Sequence, residues 1–421
     1  MDRWNIVHFY TNNRDAQSRG RMIRRGKAAA KRRKGKIHMS FRPRVLLVAV
    51  GGYGMNYLKE MTEKDTGADI AGIVEVMPGI EDMFPVIRER NIPLYKSMED
   101  FYAVDSADLT VISSPIHLHT EMTVCAFRHG SHVLCEKPLC LTMEEAERME
   151  EASREAGKFL AVGYQLNYQR DVWALKEDIL AGRFGKPLRM QCVHAMRRGV
   201  KYYSRNNWAG KIMAGEREVF DSPFTNACAH NFQMLSFLLG KDMRSACDIT
   251  GVDAELYRGN PERENFDIAA LRFTTDCGVP IMYYTAHPLR TLKLGPIGLM
   301  EFENATITYN PEHTSFLARM KDGTEIDYTD RVTEHGIMQK LYDAIECVKH
   351  GGTPMCGAEA EYPHIRAVRM VQQQPIRDVN PENCYTEEIN GDTFLCVRNL
   401  EDIFQNSAAQ WKLPGEMGVQ L

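Results

Sequence analysis

No stretch of the 421-residue sequence approaches the roughly 18 consecutive apolar residues that a membrane-spanning helix needs, and the most apolar early run, Val45–Val50, is far shorter. The expectation is therefore a soluble chain. The eleven cysteines are scattered and odd in number, and no two of them form a Cys-x-x-Cys pair. That argues against a disulfide framework or a thiolate zinc site and for a reducing cytoplasm. His-Glu-x-x-His is missing too, and His117 and His119 stand two apart, so a helix would point them to different faces; no metal site is expected. No internal repeat is present.

The net charge of -4 is an average of two unlike parts. Residues 1–38 hold 12 Lys/Arg against 2 Asp/Glu, and the remainder holds 40 against 54, so an arm of +10 precedes a body of -14. The arm shows no apolar periodicity and is expected to be disordered, either as an extension upstream of Met39 or as a transit or nucleic-acid-binding segment. From Arg44 onward, short apolar runs alternate with amphipathic stretches. Strands are expected at Val45–Val50, Asp69–Val76, Leu109–Ser113, His132–Cys135 and Phe159–Gly163. Helices are expected at Gly52–Thr62, His119–Phe127 and Met143–Ala156, the last opened by Thr142 with Glu145 and closed by Gly157. Such alternation calls for a parallel sheet covered on both faces.

After about residue 164 the rhythm changes. Ser222-Pro223 opens an apolar helix expected to run to Leu239, and alternating runs between Ile268 and Tyr328 read as an antiparallel sheet of hairpins. The expected divisions are an arm (1–38), a dinucleotide-binding domain (39–163) and a substrate and oligomerisation domain (164–421).

The first strand runs into Ala49-Val50-Gly51-Gly52-Tyr53-Gly54, in which Gly51 and Gly54 take the second and third glycine positions of Gly-x-Gly-x-x-Gly. The second glycine lets backbone approach a pyrophosphate, and the third lets the helix pack close to the strand. Ala49 replaces the first glycine, which suits an alanine with negative φ. Glu75 ends the next strand, where a carboxylate accepts ribose hydroxyls; no Lys or Arg follows it directly, which favours NAD over NADP. Ser113-Ser114-Pro115 and Glu136-Lys137-Pro138 end two further strands, on the edge where open sheets bind ligands.

These residues resemble the Gfo/Idh/MocA oxidoreductases. The likeness covers roughly residues 43–375 and rests on the Ala49–Gly54 turn, Ser114-Pro115-Ile116-His117-Leu118-His119, His132-Val133-Leu134-Cys135-Glu136-Lys137-Pro138-Leu139, Thr142–Glu145 and Val162-Gly163-Tyr164. It implies a Rossmann domain followed by an α/β domain with an open, mostly antiparallel sheet. It also implies cofactor contacts from Gly51, Gly52, Tyr53, Gly54, Glu75, Ser114, Pro115, His119, Glu136 and Lys137. Substrate contacts are expected from Tyr164, Asn167 and Trp208, with Gln165, Arg197, Arg198 and Lys201 as weaker candidates. Lys137 matches the family lysine that contacts substrate and nicotinamide ribose. The family base is a histidine of an Asp-x-x-x-His pair; here His230 stands in its place and Asn226 replaces the aspartate, with Asp221 nearby.

Oxidation of a secondary alcohol removes the hydroxyl proton as hydride leaves carbon. A histidine near neutral pKa and a lysine that binds the developing alkoxide suit that step. The expectation is thus an NAD-dependent dehydrogenase or reductase of a sugar, polyol or sugar derivative, with Lys137 and His230 reacting and Asn226 orienting the ring. A homo-oligomer joined through the open sheet face is also expected. Two alternatives stay open: an NAD-using glycoside-cleaving enzyme and a non-catalytic nucleotide-sensing regulator.

Overall fold

A computed structural model of the chain describes residues 41–309 and 315–421; the basic arm lies outside them. Six strands form a parallel sheet: β1 (Arg44–Val48), β2 (Asp69–Val74), β3 (Leu94–Tyr95), β4 (Leu109–Ile112), β5 (His132–Cys135) and β6 (Leu160–Val162). Their spatial order is β3-β2-β1-β4-β5-β6, the order of the dinucleotide-binding doubly wound fold. The Val/Ile/Leu runs have no polar side because both faces are covered: Leu46 and Val48 enter one core, Val45 and Leu47 the other. Met143–Ala156 is a helix with the expected ends, since Thr142 Oγ1 accepts the Glu145 amide and Gly157 takes φ 61°. The first helix begins at Met55 rather than Gly52, because Gly52–Gly54 form the turn that enters it.

Beyond it lies a nine-stranded sheet. Its members are β7 (Pro187–Met196), β10 (Ile249–Arg258), β11 (Ile268–Thr275), β12 (Ile281–Ala286), β13 (Lys293–Phe302), β14 (Ala305–Tyr309), β15 (Leu317–Met320), β16 (Glu325–Asp327) and β17 (Ile376–Asp378). They run in the order β16-β15-β14-β13-β7-β12-β11-β10-β17, with parallel pairing only at β7/β12 and β10/β17. β8 (Met213–Ala214) and β9 (Arg217–Glu218) form a separate small hairpin. The helix expected over Pro223–Leu239 is two pieces. Ser222 caps a wide π-type turn, Pro223–Ala227, and an α-helix begins only at Ala229 and ends at Leu238.

The chain closes with a hairpin, β18 (Cys384–Ile389) and β19 (Asp392–Val397), and a helix, Leu400–Gln410. These cover the face of the large sheet that was expected to stay open. Val397, Leu400, Phe404, Ala408 and Leu413 pack on Val193, Ala195, Tyr257, Met282 and Tyr284, and the Tyr284 hydroxyl donates to the Lys412 carbonyl at 2.9 Å. Among the described residues no helix is long and apolar enough to cross a membrane.

Candidate active site

The turn after β1 is shaped by close approach. A Cβ on Gly54 would lie 2.2 Å from the Ala49 carbonyl oxygen, so only glycine lets the helix start so near the strand. Ala49 has φ 65°, not the negative value expected of an alanine; the turn imposes a left-handed conformation on an L-residue. Glu75, only 6% exposed, closes the other side: its Oε2 accepts the Gly51 amide at 2.8 Å and its Oε1 the Met77 amide at 2.9 Å. Among the described residues, the amides of Gly52, Tyr53 and Gly54 donate to no protein acceptor, and the space above Gly52 is empty. The buried Ser114 Oγ also lacks a partner. Free amides at a helix start, a nearby carboxylate with spare lone pairs and an orphaned hydroxyl fit a nicotinamide dinucleotide. Gly52–Gly54 would hold its pyrophosphate and Glu75 its adenosine ribose.

At the carboxyl ends of β5 and the 223–227 turn, four groups meet. Lys137 Nζ donates to the Asn226 carbonyl at 2.7 Å and to Asn226 Oδ1 at 3.1 Å. Asn226 Nδ2 in turn donates to Asp221 Oδ1 at 2.8 Å, and Asp221, 1% exposed, also accepts the Gly210 amide at 2.7 Å. Burial pushes Lys137 down to about 8, against the pull of Glu136 and Asp221. His230 is half-buried with Nδ1 enclosed and unpartnered. Burial first, then the Lys137 charge, holds it well below the ordinary histidine value, so its ring is neutral at pH 7. Asn226 therefore does not orient His230. Its amide is committed to Lys137 and Asp221, and the break at Cys228 removes the helical register that a spacing of four presumed.

Glu136 does not pair with Lys137 at the surface. It is buried, accepts the Tyr57 hydroxyl at 2.6 Å and binds Lys340, which is fully buried and also donates to the Gly163 carbonyl at 3.1 Å. Lys340 lies on the helix Gln339–His350 at the edge of its buried face, four residues before Ala344, and a lysine there carries no local signal of full burial. Tyr53 reaches Gln165 Oε1 with its hydroxyl at 3.2 Å, joining the glycine turn to the segment after β6. His119 is buried with Nε2 2.8 Å from the Ser114 carbonyl and Nδ1 3.0 Å from that of Pro138. It braces the two ligand-edge loops, Ser114-Pro115 and Lys137-Pro138, and has no free nitrogen for a cofactor.

Two expected substrate contacts are core residues instead. Tyr164 is fully buried, with its hydroxyl 2.8 Å from His364 Nδ1 and its ring edge-on to His230 at 5.6 Å, so it backs the histidine. Asn167 is likewise fully buried, donating to Cys356. Trp208 is half-buried beside Arg205 at 5.2 Å. Arg197 turns away, to the Arg290 carbonyl at 2.7 Å and the ring of Phe394, while Lys201 is exposed at the Asp392 carboxylate. All eleven cysteines are free. The fold nevertheless brings together Cys247, Asp276 and Cys277, whose ligand atoms lie within 4.8 Å of one another, by pairing the ends of β10 and β11.

A parallel sheet of this order, with a glycine turn beside its switch point and the Lys137–Asn226–Asp221 line at the carboxyl end of β5, is the framework on which dinucleotides bind. Residues 43–164 match the oxidoreductase family described as having an NAD-binding Rossmann fold, GFO_IDH_MocA. Inositol 2-dehydrogenase of Klebsiella pneumoniae is 27% identical over 200 residues, 47% of this chain and 55% of that protein. The 1,5-anhydro-D-fructose reductase of Ensifer adhaerens is 38% identical over 100 residues, 24% and 30% of the two chains. The chain spans about half the length, or less, of these curated relatives. The fold is shared with the WlbA dehydrogenase of Bordetella pertussis, solved with NADH and UDP-GlcNAcA, at a TM-score of 0.66 and 19% identity over 80% of this chain and 96% of that one.

Proposed function

We propose that the protein is an NAD-dependent oxidoreductase that transfers hydride between the nicotinamide and an alcohol or carbonyl carbon of a sugar, polyol or sugar derivative. The observation that carries this reading is the line Lys137–Asn226–Asp221, with neutral His230 alongside. Bound NAD supplies only the acceptor or donor of hydride. Below pH 8 the Lys137 ammonium donates a hydrogen bond to the substrate oxygen and stabilises it as charge develops. Asp221 is the countercharge that a bare asparagine lacks, reaching Lys137 through the Asn226 amide. His230, whose Nε2 has no protein partner among the described residues, takes the hydroxyl proton during oxidation and returns it during reduction.

The curated relatives act on inositol and anhydrofructose by name, which supports a carbohydrate-like substrate. The free thiols fit a reducing cytoplasm. The C-terminal hairpin and helix occupy the sheet face through which self-association was expected, so we assign association between copies to another surface.

The test is a screen of polyols, hexoses and sugar nucleotides for NAD reduction by the full chain. On the substrate found, Lys137→Met is expected to lower kcat/KM by roughly 10²–10⁴ while NADH affinity persists. Undiminished turnover in that variant removes Lys137 from the reaction.

A further inference from the structure

Beside the Lys137–Asn226–Asp221 line stand more cations than the reacting groups require. Along β7, alternate residues face opposite sides: Val193 and Ala195 meet the C-terminal helix, whereas His194 meets the 229–238 helix, with Nδ1 2.8 Å from Asn231 Nδ2. Arg198 continues the second series. Its guanidinium lies 4.8 Å over the Tyr202 ring, which Arg205 covers at 3.6 Å; Arg205 in turn stands 3.9 Å from Asp221. Contacts thus run unbroken from Arg198 to Lys137. Lys293 begins β13 directly across from Met196, and its charge is felt at His194 and Cys228 on the same side.

Of the four cations Lys137, Arg198, Arg205 and Lys293, Asp221 engages two, Arg205 directly and Lys137 through Asn226, while Glu136, which also acts on Lys137, is already paired with Lys340. Arg198 has only the Arg197 carbonyl at 3.4 Å and the Met196 sulfur at 3.8 Å, and its Nε is buried without a partner. The exposed Lys293 side chain makes no hydrogen bond or ion pair among the described residues, while its backbone pairs with Met196. Beside Arg198, His287 is 1% exposed; its Nδ1 is 2.6 Å from the Tyr203 hydroxyl, and its Nε2 is buried and unpartnered. Buried polar atoms ordinarily have partners, and unpaired cations crowded together destabilise a fold. Here they persist within a body whose net charge is -14.

We infer that the substrate carries an oxyanion, a carboxylate or a phosphate, which Arg198 and Lys293 bind while the reacting carbon lies at Lys137 and His230. This rests on the hydride-transfer reading above. A planar guanidinium with free N–H groups suits paired oxygens, and Lys293 adds a second, more mobile charge.

The test titrates the full chain, saturated with NADH, with D-glucose, D-glucuronate and D-glucose 6-phosphate in a calorimeter. At least one charged sugar is expected to bind roughly tenfold or more tightly than glucose at low salt, with the advantage shrinking as salt rises. The charged sugar that gains more distinguishes carboxylate from phosphate. Arg198→Met should remove most of the advantage, Lys293→Met part of it, and Arg198→Lys should keep part. Thermal unfolding and NADH affinity report whether each variant is folded; should Arg198→Met fail to fold, Lys293→Met at its exposed position decides. Equal affinities, no binding by either charged sugar, or an advantage surviving the deciding variant overturns the inference. A preserved oxyanion preference with no NADH binding refutes the hydride-transfer reading alone.

Discussion

Replacing Lys340 with methionine isolates the buried pair beneath the reaction centre. In the wild type, Glu136 accepts the Tyr57 hydroxyl at 2.6 Å, the Lys137 amide at 3.2 Å and the Lys340 ammonium, and all of Lys340 is buried. Burial works against the Lys340 charge, but Glu136 and Tyr53 together outweigh it and raise its pKa above the usual lysine value. Lys340→Met keeps the volume and leaves a carboxylate in the interior without its cation, a loss of about 3–5 kcal/mol. With unfolding entropy near 2.1 cal/mol/K per residue, some 380 folded residues give roughly 0.8 kcal/mol/K, so Tm should fall by about 4–6 °C. Scanning calorimetry measures this at pH 7 and again near pH 5. The deficit should narrow at the lower pH, because Glu136 in the variant can take up a proton and a neutral carboxyl needs no cation. The double variant Glu136→Gln/Lys340→Met should recover much of the loss. A drop under about 1 °C, a deficit indifferent to pH, or additive losses in the double variant would refute the reasoning.

Other outcomes follow from single features. Ala49→Gly relieves the positive φ, worth roughly 1–2 kcal/mol, at some cost in chain entropy; urea titration should show a net gain of about 0.5–1 kcal/mol, and a loss would mean that the strain is absent. On the proposed reading Lys137 works as an ammonium, and with burial pushing it down to about 8, kcat/KM should decline as pH rises through that value. Asp221→Asn, which removes a charge favouring the ammonium, should move the decline to lower pH. Cys277 is held at about 6 by its hydrogen bond with Cys247, so iodoacetamide at pH 7 should label it before the other ten cysteines, as peptide mass spectrometry can check; first labelling elsewhere would contradict the assignment.

Periodicity made much of the first sheet legible. Buried strands such as Leu160–Val162 are apolar throughout, and the Thr142 cap and Gly157 stop bound a helix by local chemistry alone. β10 escaped because most of it is no more than half-buried, and its Asp253 and Glu255 break any apolar run; only pairing with β11 and β17 makes it a strand. In the site, Lys137 and His230 were legible from motif and resemblance. The roles of Asn226, Tyr164 and Lys340 were not, because each depends on a partner distant in sequence or on a helix break at Cys228 that no residue announces. The near approach of Cys247 and Cys277 was hidden in the same way, by a separation of 30 positions that two strands bring back together.

The hairpin and helix that end the chain have a further consequence. They cover an apolar sheet face with residues of the same molecule, so its burial is a unimolecular event whose extent does not change on dilution. A face buried between two copies would couple stability to protein concentration; here the tether keeps the covering segment at high effective concentration however scarce the protein is. The same arrangement makes the tail a guard. A cut after β17 would release Val397, Leu400 and Phe404 and leave Val193, Tyr257, Met282 and Tyr284 bare, giving a molecule with an apolar sheet face that seeks another chain.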